Sequence, residues 1–248
     1  MLVLKFDNER ELGLSLDTRE TLLSRVMFWI AGISILVALY LVFMYAVIER
    51  IMGPVQKIFY FHVGTAAVAA IAFFVVFVCS ILYLMTKKRI YDVYAGVSGE
   101  IGVVFTTLVL LTGPIWARAS WNVWWNWEPR LTTTLILWFI YVAYVMIRNM
   151  DGAWDKKARL AAIFGIIGFV DVPIVYFSVQ WWNTTLHPVV VGKGGGGLQG
   201  EGMILALMAS IFALSMLYVV LMKRGVRIEK AKIELAHMKS KIAEKFSR

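Results

Sequence analysis

Residues 118–132 read R-A-S-W-N-V-W-W-N-W-E-P-R-L-T, and the two flanks of this stretch decide the fold. Residues 97–117 before it form an apolar run interrupted by one acid, Glu100; residues 131–147 after it form a second, shorter run. A helix needs roughly 20 apolar residues to cross a bilayer. The polar, tryptophan-dense segment therefore reads as a connection between two membrane spans. Working outward, four further runs of similar character lie at 26–48, 58–86, 160–182 and 203–222, the one at 160–182 carrying Asp171. With 60% hydrophobic and 17% charged residues, no large soluble domain remains once these runs are removed. The expected fold is an all-α integral membrane protein with six transmembrane helices.

The expected layout has a polar segment at 1–25, a membrane domain at 26–222 whose tryptophan loop occupies 116–132, and a basic tail at 223–248. In the tail, Ile228, Ala231, Leu235, Met238 and Ile242 recur at helical spacing among lysines. That pattern suits an amphipathic helix on the inner leaflet or against a partner helix. The charged segment before the first run argues against a cleaved signal peptide. The run G-K-G-G-G-G-L-Q-G-E-G at 192–202 lacks the spacing of a phosphate loop and reads as a mobile linker.

A net charge of +9 would suggest nucleic acid in a soluble chain, but here its distribution tracks topology. Alternate segments between spans hold twenty of the 25 Lys and Arg residues against five in the others. By the positive-inside rule both termini are cytoplasmic and the tryptophan loop faces outward. Cys79 is the only cysteine, which removes any disulfide within the chain and any C-x-x-C-H attachment of haem.

Trp121, Trp124, Trp125 and Trp127 fall within seven residues, with Trp116 just upstream. Four indoles this close cannot all be buried in one short loop. They suit an apolar platform for a flat ligand such as a porphyrin, with Arg118 and Arg130 as forked donors to carboxylates at its rim. An aromatic belt at the membrane surface is the plainer reading, and it suffices for Trp29, Trp154, Trp181 and Trp182. It explains the cluster less well, because a belt spreads its anchors around the bundle.

Of three histidines, the topology puts His62 and His187 on the outer face and His237 on the inner tail. Two neutral imidazoles from different loops could supply both axial positions of a haem iron. Alternatively, each is an amphipathic side chain at the headgroup boundary. Lys57, Arg118 and Arg130 could neutralise haem propionates or contact headgroup phosphates. Glu128 could accept indole N–H groups, orient a histidine, contact a partner protein, or sit solvated beside Arg130. Asp171, costly in a bilayer, could satisfy backbone groups freed near Pro173 or pair with Arg118.

The wording W-N-V-W-W-N-W-E-P-R-L-T, with T-G-P-I-W before it and S-V-Q-W-W-N-T-T-L-H after it, resembles the WWD domain of cytochrome c maturation proteins. Within that group it is most similar to the CcmC family, haem exporter protein C of bacterial system I, in detail over residues 57–188. The resemblance implies that His62 and His187 are axial ligands to haem b, carried as cargo at the periplasmic face of the inner membrane. It also implies delivery to the haem chaperone CcmE, with the ABC transporter CcmA/CcmB and the small protein CcmD as partners. Such a protein changes no bond in the porphyrin and is not an enzyme. Two residues depart from the family's pattern: Glu128 where Asp is usual, and Asn122 where glycine is common. The competing expectations are a CcsA-like haem-lyase component, a quinol- or electron-handling enzyme, and a structural permease subunit with no haem site. R-L-T after the core, rather than K-E-T, and only two outer histidines disfavour the first.

Overall fold

The computed structural model describes residues 22–49, 53–182, 198 and 201–246. Helix α1, Leu22–Tyr40, closes in a π-helical turn at Leu41–Tyr45, and a 3-10 turn at Pro54–Gln56 leads into α2, Lys57–Thr86. The remaining helices are α3, Arg89–Trp121, α4, Pro129–Asn149, α5, Trp154–Trp181, and α6, Glu201–Phe246. Among the described residues six helices are long and apolar enough to cross a membrane, and only an isolated bridge between Glu49 and Gly53 is not helix or loop. The chain is a multi-pass, all-helical membrane protein.

The expected spans all exist, but their ends move. Helix α3 extends well past 97–117 at both ends, and α5 starts at Trp154 rather than near 160. Hydropathy misses these turns because their polar residues satisfy one another instead of meeting lipid. Asp92, on the first turn of α3, forms an ion pair with Arg148 at the end of α4 and accepts the Trp154 indole N–H at 3.0 Å. Tyr83 donates to Asp155 at 2.9 Å, and Asp155 pairs with Arg159. Span six and the basic tail are continuous: α6 runs through both as one helix of 46 residues. Gly225 sits at that junction, and a Cβ there would come within 2.4 Å of Val97 Cγ1. The absent side chain lets α6 close on α3, the small-residue contact on which membrane bundles rely.

Helix α2 is central, packed on α3, α5 and α6, whereas α1 leans chiefly on α6. In the core Phe73 of α2 stacks on Tyr141 of α4 with ring centroids 3.6 Å apart. The arrangement needs Gly102, whose added Cβ would lie 2.4 Å from the Phe73 ring. This packing fixes α2 against α3, and so sets what faces His62.

Candidate functional site

Helix α3 stops at Trp121 because Asn122, the next residue, turns left-handed, at φ 59°. Only glycine adopts that conformation freely, and asparagine tolerates it best among the rest. The Asn122 N–H reaches back to Arg118 O at 3.1 Å, while the Arg118 guanidinium donates to Asn122 O at 2.7 Å. Asparagine therefore serves this turn without a glycine. The connection is shorter than 116–132: Trp116 to Trp121 are helical, and Pro129 already occupies the first position of α4. Proline belongs there, since its missing N–H would have no helical partner anyway.

The five indoles divide by burial. Trp116 is only 6% exposed, set edge-on to Trp121 at 4.8 Å and near Phe59 at 6.5 Å. It is a foundation, not part of an open platform. Trp121 and Trp125 are half-buried, and Trp125 meets Trp127 edge-on at 5.6 Å. Trp124 and Trp127 are 59% and 72% exposed. Such large apolar faces left open at a bundle end are available to a flat ligand or to the membrane interface.

His62 lies on the second turn of α2, half-buried, with Nδ1 2.8 Å from Thr112 Oγ1 of α3. The Arg130 guanidinium is near enough for its charge to act on the imidazole, and it donates to Tyr176 O of α5 at 3.0 Å. Arg130 thus ties α4 to α5 beside His62. The other two cations are more committed. Lys57 donates to Phe43 O at 2.7 Å, fastening α2 to the π-helical turn, and Arg118 closes α3 while lying 5.9 Å from the Trp124 ring centre. An ammonium has three donors and a guanidinium five, so each keeps N–H groups to spare.

Glu128 is 7% exposed, which overturns its reading as a solvated carboxylate. Burial pushes its carboxyl above the usual carboxylate range, and the nearby Arg130 charge opposes that shift. It occupies the position before the first turn of α4, where its main-chain O accepts both the N–H and the hydroxyl of Thr132, but its side chain caps no N–H of that turn. Of the two readings of Asp171, the pairing with Arg118 is not formed. Arg118 instead holds Asn122 O and the Trp124 face, and Asp171 Oδ2 is buried without a hydrogen-bond partner among the described residues.

His187 and the glycine-rich linker lie outside the described residues. Of the neighbouring motif, Trp181 and Trp182 are described, both more than half exposed, with Trp181 stacked on Phe177. Thr112 carries a contact that the spacing of residues could not reveal. It lies fifty positions from His62, and only the packing of α2 on α3 brings them together.

An imidazole, open indoles and a guanidinium at one end of a membrane bundle are a donor set for a flat, anionic, metal-bearing ligand. The family model for haem exporter protein C matches residues 15–241. The chain belongs to the CcmC family. It is similar to the haem exporter protein C of Bradyrhizobium diazoefficiens, 30% identical over 210 residues, covering 84% of this chain and 80% of that one. A ccmC-like mitochondrial protein of Marchantia polymorpha is 31% identical over 191 residues, 76% of this chain and 81% of its own. The haem exporter protein C of Escherichia coli K12 is 33% identical over 135 residues, about half of each chain. CcmC membership agrees with the six-helix architecture and the tryptophan motif alike.

Proposed function

We propose that this protein binds haem b as cargo at the His62 end of the bundle and passes it on during haem export for cytochrome c maturation. The observation that carries the reading is the position of His62, held by Thr112 beside Arg130 on a bundle end whose indoles stay open. His62 and His187 supply the two axial nitrogens. Trp124 and Trp127 cover a macrocycle face, and Arg130, with Arg118 and Lys57 further out, receives the propionates. Trp116, Trp121 and Trp125 support that surface, and the buried Glu128 steadies Arg130. Every one of these interactions is made to an intact porphyrin, so the role is transport and not catalysis.

The bias of Lys and Arg between alternate segments supports cytoplasmic termini and a haem site on the periplasmic side of the bacterial inner membrane. There the acceptor is CcmE, and the partners are the transporter CcmA/CcmB and CcmD.

The test is an absorption spectrum of the detergent-purified protein with haem supplied, beside His62→Ala, His187→Ala and the double variant. A low-spin bis-histidine spectrum, lost in the double variant, is expected. A colourless wild type, or pigment unchanged in the double variant, overturns the proposal and leaves the tryptophan loop as an anchor or docking surface.

A further inference from the structure

We propose that Thr112 is a positioning residue that holds His62 in the tautomer whose Nε2 can bind iron. The proposal rests on the reading of His62 as a haem ligand and names the residue that makes it one. Its basis is a count of protons. A threonine hydroxyl carries one hydrogen. Thr112 Oγ1 lies 2.7 Å from Leu108 O and 2.8 Å from His62 Nδ1, with Val109 O a longer third contact at 3.4 Å. A carbonyl only accepts, so the hydroxyl proton is spent on Leu108. The contact with His62 is then a hydrogen bond only if the imidazole donates from Nδ1. A neutral imidazole protonated on Nδ1 carries its free lone pair on Nε2.

The same helix shows the device where its direction is beyond argument. Five residues earlier, about a turn and a half along α3, Thr107 Oγ1 donates to Val103 O at 2.8 Å and accepts the Trp138 indole N–H at 2.8 Å. An indole has no other choice than to donate. Thr112 repeats that arrangement with an imidazole in place of the indole. In the opposite tautomer, two lone pairs would face each other across 2.8 Å, or Thr112 would have to abandon Leu108. Gly113 leaves the adjoining edge of the ring uncrowded: a Cβ there would stand 3.4 Å from His62 Cε1, an ordinary van der Waals separation.

A hydrogen bond from the far nitrogen fixes a ligating histidine's orientation and raises its basicity, and its loss typically weakens metal binding roughly 10–100-fold. A hydroxyl is a milder acceptor than a carboxylate, so the effect belongs near the lower figure.

The test uses the full-length protein with Thr112→Val, which keeps the shape and removes the acceptor, and Thr112→Ser, which keeps the hydroxyl. The first readout needs no haem. In 15N-histidine-labelled apoprotein, the His62 signal, identified by its absence in His62→Ala, should report a proton on Nδ1 in the wild type and in Thr112→Ser. In Thr112→Val it should move to the other tautomer or to a mixture. With haem supplied, Thr112→Val should release it to apomyoglobin about tenfold faster than wild type. The midpoint potential of the bound haem should rise, because a less basic imidazole favours the ferric state less. Thr112→Ser should restore both. Thr112→Val matching the wild type in tautomer, release and potential, while His62→Ala loses haem, overturns this proposal and leaves the ligand reading standing. Unchanged haem binding in His62→Ala overturns the ligand reading itself, and the proposal with it.

Discussion

At the Asp92 end of the bundle, carboxylates take most of the polar contacts between helices, though Lys157 donates to Met150 O. Asp92 holds Arg148 and the Trp154 N–H, Arg89 lies over the Trp154 ring at 4.7 Å, and Asp155 bridges Tyr83 and Arg159. At the His62 end, cations are bonded to main-chain carbonyls: Lys57 to Phe43, Arg118 to Asn122, Arg130 to Tyr176. A guanidinium bonded to a carbonyl keeps most of its five donors and meets no opposing charge through that bond, although Arg130 also lies near the Glu128 carboxyl. Aromatic rings follow the same division. Tyr83 and Tyr144 are almost wholly buried towards the Asp92 end, while Trp124 and Trp127 lie open beyond His62. One end is closed by an ion pair between helices, and the other keeps the open rings and carbonyl-bound cations on which the proposed haem site rests.

The comparison breaks first if His62→Ala still binds haem. The expected outcome is loss of the bis-histidine absorption spectrum with the melting temperature of the apoprotein little changed, since the half-buried imidazole makes one hydrogen bond to α3. The reciprocal experiment is Asp92→Ala, which leaves the largely covered Arg148 without its carboxylate. That should cost about 3–5 kcal/mol, seen as a large fall in Tm, while the folded fraction keeps its haem spectrum.

A finer division runs through the tryptophans themselves. Trp116→Ala empties a buried site and should cost about 3 kcal/mol of stability. Trp127→Ala, at a surface position, should change stability by less than about 0.5 kcal/mol yet weaken haem retention. Equal melting temperatures for the two variants would erase the distinction between foundation and platform.

The smallest effect concerns Glu128. Its carboxyl is raised above the ordinary value of 4.5 by burial. A raised value favours the folded state while the group is protonated. That contribution is fully present below about pH 4.5 and fades as pH climbs through the folded value. Glu128→Gln should therefore match the wild type near pH 4 and melt slightly higher at pH 7.5. A variant that matches the wild type near pH 4 but melts lower at pH 7.5 would show that the carboxylate charge is needed where it stands.

Much of this was legible along the chain. Six spans follow from run length and composition, because lipid demands continuous apolar helix and offers backbone groups no other partner. The tryptophan motif and its arginine were visible as a local cluster, and family membership agreed with them. The ends of α3 and α5 were not legible, because Asp92, Arg148 and Trp154 come from three separate helices and look like loop residues until they meet. The continuity of α6 was hidden for a related reason: a change from apolar to basic marks a change of solvent, not an end of helix.

The sequence by itself determined the membrane class, the number of spans and the presence of a dense aromatic connection flanked by cations, since these depend on composition within one window. Tertiary structure alone decided which indoles are open, which cations are committed and which hydroxyl meets His62. Those are properties of contacts between helices, set by how closely α2, α3 and α4 can approach, and no single stretch of the chain contains them.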